Sequence, residues 1–99
     1  MAADLVVAPE AEQDVAEAYA WYEDRRVGLG EELLGCIDAC VAGVCRSPGS
    51  WAVVQENYCR ALVRRFPYAV FYEHQGDTVT IYGVLHTSRD PQKWRDRLP

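Results

Sequence analysis

The chain has 99 residues, the size of one domain, so residues 1–99 are predicted to fold as a single unit. Its formal net charge is −5 at pH 7, and so acidic a chain gains little from the overall field of nucleic-acid phosphates. No run of about 18 apolar residues is present, which predicts no membrane partner. The first residues lack the basic and apolar stretches of a signal peptide, so we expect a cytoplasmic protein.

Basic residues are concentrated in the second half of the chain. Residues 1–49 hold ten acidic and three basic side chains, whereas residues 50–99 hold five acidic and seven basic ones. Nine of the ten basic residues are arginine. A site for an anion would therefore have to come from a local group of arginines in residues 50–99.

The four cysteines are predicted to be free thiols. Cys36, Cys40 and Cys45 fall in one predicted helix, whose geometry disfavours disulfides between them. Cys36 and Cys40 share a helix face, but no second pair with the spacing of metal ligands accompanies them. We therefore expect no metal site and no cofactor.

The first half predicts a strand followed by a helix hairpin. "DLVVAP" is typical of a short strand, and Pro9 suits the first turn of a helix that extends to Arg26. "VGLG" interrupts the pattern, and a second helix is predicted from about Glu31 to Arg46, where "SPGS" ends it. Two helices joined by so short a link should pack as an antiparallel hairpin.

The second half changes to the pattern of β-strands. Three runs are rich in β-branched and aromatic residues: 59–66, 68–74 and 78–86. Gly76 and Asp77 suit a two-residue hairpin turn, and Asp90 and Pro91 suit the start of a short last helix. These elements predict an α+β fold, in which the helix hairpin packs on an antiparallel sheet of about four strands.

The two turns also predict which side chains share a face of the sheet. Reversals at Phe66-Pro67 and Gly76-Asp77 would place Arg60 opposite Glu73 and Tyr72 opposite Ile81. One face would then be almost entirely apolar and would cover the helices. The other would carry a mixed set: Arg60, Leu62, Arg64, Phe71, Glu73, Thr80, Tyr82, Val84 and His86. This second face is either a working surface or an ordinary solvated sheet face with an Arg60–Glu73 pair.

Several segments of the chain resemble the RelE/ParE toxin superfamily. The similar segments are the helix "AEQDVAEAYAWY", Pro48-Gly49, Arg60, "FPYAVFYE" (Phe66 to Glu73) and "VLHTSRDPQKW" (Val84 to Trp94). The resemblance implies two helices on an antiparallel sheet. It also implies the toxin half of a type II toxin–antitoxin pair, held inactive by a cognate antitoxin.

The superfamily divides by target, and the acidic balance of this chain favours the ParE-like branch. Members similar to ParE act on DNA gyrase. For this branch the predicted partner-binding residues are Arg60, Lys93, Trp94, Arg95 and Arg97, because tryptophan and arginine are favoured at interfaces.

Members similar to RelE instead cut mRNA on the ribosome, which is the alternative function. His86 would then act as general acid or general base while a ribose 2′-OH attacks the adjacent phosphate. Arg64, Arg65 and Arg89 would hold the phosphate. Tyr82 would stack on a nucleobase or donate its hydroxyl. A third possibility is a non-toxic interaction module. A second copy of the chain, in a homodimer, is a further possible partner.

Overall fold

The computed structural model describes residues 3–55, 58–88 and 95–97. Two helices lie against one face of a five-stranded sheet, which confirms the predicted α+β class. In chain order the elements are β1 (Asp4–Val7), α1 (Pro9–Arg25), α2 (Leu29–Arg46), a 3₁₀ turn (Pro48–Ser50), β2 (Ala52–Gln55), β3 (Tyr58–Leu62), β4 (Tyr68–Gln75) and β5 (Thr78–His86). Residues 95–97 are helical, and the predicted start of that last helix at Asp90 and Pro91 lies outside the described residues.

The strands follow the order β1-β5-β4-β3-β2 across the sheet. β1 is parallel to β5, whereas the other neighbours are antiparallel. The sheet therefore has one strand more than the predicted four, and it is mostly rather than wholly antiparallel. The additional strand is β2, a four-residue edge strand that is too short for its sequence pattern to be recognised.

A glycine and a carboxylate stabilise the turn between α1 and α2. Gly28 has φ of 91°, a left-handed conformation that glycine adopts without steric cost. The Glu23 carboxylate accepts N–H bonds from Gly28 at 2.9 Å and Gly30 at 2.9 Å, and so supplies partners for the free amides at the start of α2. A Cβ at Gly30 would lie 2.8 Å from the Tyr19 ring, so only glycine allows the helices to approach this closely.

The main core lies between the helices and the sheet. Its largest fully buried side chains are Leu33, Val44, Val70, Tyr72 and Val79. The Tyr72 hydroxyl donates a 2.6 Å hydrogen bond to the Pro48 carbonyl, which ties the sheet to the turn after α2. All four cysteines are free, as predicted.

The pairing of β4 with β5 contains a β-bulge that is absent from the register predicted from the sequence. Tyr72 does lie opposite Ile81, as predicted, but Phe71 lies opposite Gly83 and not opposite Tyr82. Tyr82 is thus an extra residue in β5. Each β5 side chain after it lies on the face opposite to the one predicted. His86 pairs with Tyr68 on the helix side of the sheet, so its predicted position on the opposite face is wrong.

The turn between β3 and β4 is wider than predicted. Arg60 lies opposite Phe71, two residues away from the predicted partner Glu73, which instead faces Tyr58. The Val63 N–H donates to the Tyr68 carbonyl, and the intervening residues form a loop rather than a tight turn at Phe66-Pro67. Since the shift is an even number of residues, the faces predicted for β3 are unchanged.

Candidate functional site

A cleft of about 540 Å³ opens between α1 and the end of β5. Its walls combine aromatic side chains from α1, β4 and β5 with carboxylates from α1. The described residues that line it are Asp14, Glu17, Ala18, Trp21, Tyr22, Tyr68, Val84, Leu85, His86, Ser88 and Arg97. The bulge at Tyr82 creates this arrangement, because it turns His86 toward α1.

His86 is held by its own neighbours along the chain. Its Nδ1 accepts the Ser88 backbone N–H at 3.1 Å and lies 2.7 Å from the Ser88 hydroxyl. An Nδ1 that accepts an N–H bond carries no proton, so the neutral ring is protonated on Nε2. The ring also meets Tyr68 edge to face, with the centroids 5.3 Å apart. These contacts orient the imidazole firmly at the wall of the cleft.

Asp14 and Arg97, here called the edge pair, form a bidentate ion pair beside β5. The Arg97 Nη1 and Nη2 atoms lie 2.6 and 3.1 Å from the two carboxylate oxygens of Asp14. The Asp14 Oδ2 atom also accepts the Val84 backbone N–H at 3.1 Å, and Arg97 donates to the Tyr82 carbonyl at 3.4 Å. The hydrogen bond to Asp14 is the main cause that raises the pKa of Arg97.

The role of Asp14 is not evident from the sequence, because a carboxylate near the start of a helix is usually solvated. Here 10% of the Asp14 side chain and 27% of the Arg97 side chain are exposed. One sequence signal is compatible with the arrangement, namely Gly83. A Cβ at this position would lie 3.4 Å from both Arg97 Nη1 and Asp14 Oδ2, so the pair packs closely against the backbone of Gly83.

Two of the three predicted phosphate-binding arginines, Arg64 and Arg65, lie in the turn between β3 and β4. Arg65 has φ of 71°, and its Nη2 atom lies 3.2 Å from Glu32 Oε1. Arg26 Nη2 lies 2.6 Å from the other oxygen of Glu32, and we call Arg26, Glu32 and Arg65 the turn cluster. The bond from Arg65 is the main cause that lowers the pKa of Glu32. Arg64 is exposed in the same turn.

Tyr82 and Arg60 lie on the face of the sheet that the helices leave uncovered. The Tyr82 hydroxyl donates to Glu73 Oε1 at 3.3 Å, and its ring meets Tyr58 with the centroids 5.6 Å apart. Burial is the main cause that raises the pKa of Tyr82. Arg60 is exposed two residues along β3 from Tyr58. The predicted nuclease set is therefore divided between the two sides of the sheet, with Tyr82 on one and His86 on the other.

Of the remaining predicted site residues, Arg89, Lys93 and Trp94 lie outside the described residues. Arg95 is exposed in the helical turn that also carries Arg97. Within 3–55, 58–88 and 95–97, no group of three or more His, Cys, Asp or Glu side chains is placed to hold a metal ion. The same residues include no helix that is long and apolar enough to cross a bilayer.

Comparison with known proteins gives a family match and similar solved structures. A family model described as the ParE toxin of the type II toxin–antitoxin system parDE matches residues 5–91. No curated protein is similar enough in sequence to count as a match. Among solved structures, a chain of the chromosomal ParDE TA system from P. aeruginosa is similar with a TM-score of 0.77 and 13% identity, over 87% of this chain and 97% of that chain. At this identity the structural likeness shows the fold alone.

Proposed function

Because the chain belongs to the ParE toxin family of type II toxin–antitoxin systems, we propose that it arrests growth by binding DNA gyrase and not by cutting mRNA. Membership of the family makes it the toxin component of such a system, with a cognate antitoxin as its partner. The target is the part that the family assignment leaves open. The observation that carries the proposal is the position of His86 relative to the arginines.

Cleavage of RNA by a ribose 2′-OH needs an acid or base and positive charge on the same phosphate. His86 lies in a cleft whose α1 wall carries the carboxylates of Asp14 and Glu17. The one described arginine in that cleft, Arg97, is already paired with Asp14. A phosphate entering beside His86 would therefore meet negative charge that is only partly balanced, which favours a binding function over RNA cleavage.

Two of the other described arginines, Arg60 and Arg65, are also poorly placed to assist His86. The Arg65 guanidinium is paired with Glu32 of α2, and Arg60 is on the opposite face of the sheet. Such groups suit recognition of a protein surface, where an exposed arginine needs only a complementary partner. We assign Arg60 and Arg95 to the proposed gyrase-binding surface. Lys93 and Trp94 belong to the same proposal, and Arg97 belongs to it through the helical turn that it shares with Arg95.

The test compares both targets with the same purified chain. Gyrase is incubated with relaxed plasmid, and a ribosome programmed with mRNA is treated in parallel, each with and without the product of the neighbouring gene. We expect the chain to inhibit supercoiling, the neighbouring gene product to relieve the inhibition, and the mRNA to stay intact. Cleaved mRNA with normal supercoiling would contradict the proposal in favour of a ribonuclease. No effect in either assay would contradict it in favour of a non-toxic module.

A further inference from the structure

The outer edge of β5 is covered by a strand along only part of its length. β1 pairs with β5 as far as Val7 and Ile81, and the Ala8 N–H then donates to the Ile81 carbonyl at 2.9 Å. The chain turns into α1 at Pro9, so β1 does not continue along β5 beyond that point. Backbone groups at such an edge need other partners or water.

Two side chains take the place of the missing strand. Asp14 accepts the Val84 N–H and Arg97 donates to the Tyr82 carbonyl, while the two side chains bind each other through two contacts. The edge pair therefore joins three parts of the chain: the middle of α1, the bulged edge of β5 and the helical turn at residues 95–97. Bidentate pairing of this kind fixes orientation as well as distance.

We propose that Asp14 is a positioning residue, which holds the helical turn at residues 95–97 through Arg97 in the place from which that turn acts on the target. The inference rests on the proposed function, since Arg95 of that turn is assigned there to the target-binding surface. The Asp14 side chain is nine-tenths buried, so it offers little surface to a target. Its effect passes through Arg97, so both residues should matter to a similar degree.

The variants separate this role from simple support of the fold. Asp14→Asn keeps an oxygen that can accept the Val84 N–H but loses the charge that holds Arg97. Arg97→Gln releases the helical turn at residues 95–97 without changing α1, and Arg97→Lys keeps a cation for Asp14. Matched controls are Glu12→Gln, an exposed carboxylate on α1, and Arg46→Gln, an exposed arginine at the end of α2.

The readouts are inhibition of gyrase supercoiling, growth arrest, binding of the cognate antitoxin and thermal unfolding. We expect Asp14→Asn and Arg97→Gln each to raise the concentration for half inhibition about tenfold, the loss typical of one charge-assisted contact. The double variant should be no weaker than either single one, because both remove the same contact. Arg97→Lys should recover most of the activity. Antitoxin binding should persist in every variant, which shows that the fold is intact.

The inference would be overturned if Asp14→Asn and Arg97→Gln inhibited gyrase supercoiling as strongly as the two control variants do. Equal weakening of antitoxin binding and gyrase inhibition in both variants would also overturn it, since that result indicates general loss of structure. A wild-type chain without effect on supercoiling overturns the gyrase target instead. In that case growth arrest by the same variants decides the role of Asp14: a tenfold weaker arrest supports it, and an unchanged arrest contradicts it.

Discussion

The edge pair and the turn cluster are both arginine–carboxylate contacts, yet they differ in what surrounds them. In the edge pair the side chains are 27% and 10% exposed, and the carboxylate also binds a backbone N–H of the sheet. In the turn cluster the arginines are 63% exposed, Glu32 is 36% exposed, and the contacts are between side chains only. Burial and a backbone bond, rather than the number of charges, should therefore decide which contact stabilises the fold.

Removal of the Asp14 carboxylate should have the largest effect on stability. Asp14→Ala leaves the Val84 N–H and the Arg97 guanidinium without their shared acceptor, at a cost of about 3 kcal/mol in the free energy of unfolding. Urea denaturation of the variant beside Glu12→Ala measures the difference. Equal stability of these two variants would mean that water satisfies the β5 edge as well as Asp14 does.

Loss of the Tyr72 hydroxyl should have an intermediate effect. This group is fully buried and donates its 2.6 Å bond to the Pro48 carbonyl without any charge in the contact. Burial is the main cause that raises the pKa of Tyr72, so the hydroxyl stays a donor throughout the usual pH range. Tyr72→Phe should cost about 1 kcal/mol in the free energy of unfolding.

The matched control for this variant is Tyr19→Phe, which removes a hydroxyl that donates to Glu31 at the surface. Tyr19→Phe should lower the free energy of unfolding less than Tyr72→Phe does in the same denaturation experiment, because water can replace an exposed hydrogen bond. A larger loss for Tyr19→Phe would reverse the order that burial predicts.

Neutralising Glu32 should have the smallest effect, since its partners are exposed and screened by salt. The pKa of Glu32 is lowered in the folded chain, so its contribution is present at neutral pH and declines as the pH falls below the ordinary glutamate value of about 4.3. Glu32→Gln should thus lower the melting temperature slightly at pH 7 and low salt. The difference from wild type should vanish in high salt or in acid; a difference that persists there would rule out an electrostatic origin.

Much of the fold could be predicted from local sequence signals. Pro9 marks the start of α1, "SPGS" marks the end of α2, and Gly76-Asp77 marks the turn between β4 and β5. The edge strand β2 could not be predicted, because four residues carry too little alternation. The structural likeness to a ParDE toxin system agrees with the fold that the resemblance implied.

The arrangement of the site was harder to predict than the fold, and one residue explains why. The alternation of apolar and polar residues assigns side chains to the correct face only while the register between strands is regular. The extra residue at Tyr82 moves each later side chain of β5 to the other face. His86 consequently lies beside α1 and apart from Arg60 and Tyr82. The edge pair was missed for a related reason, since 83 positions separate Asp14 from Arg97 and only the folded chain brings them together.

Growth arrest by His86→Ala tests most directly whether this toxin acts by binding and not by RNA cleavage. His74→Ala, an exposed histidine near the turn between β4 and β5, is the matched control. We predict that both variants arrest growth as wild type does, with cellular mRNA intact in all three strains. Degraded mRNA in wild type that becomes intact in His86→Ala, while antitoxin binding is unchanged, would contradict the account.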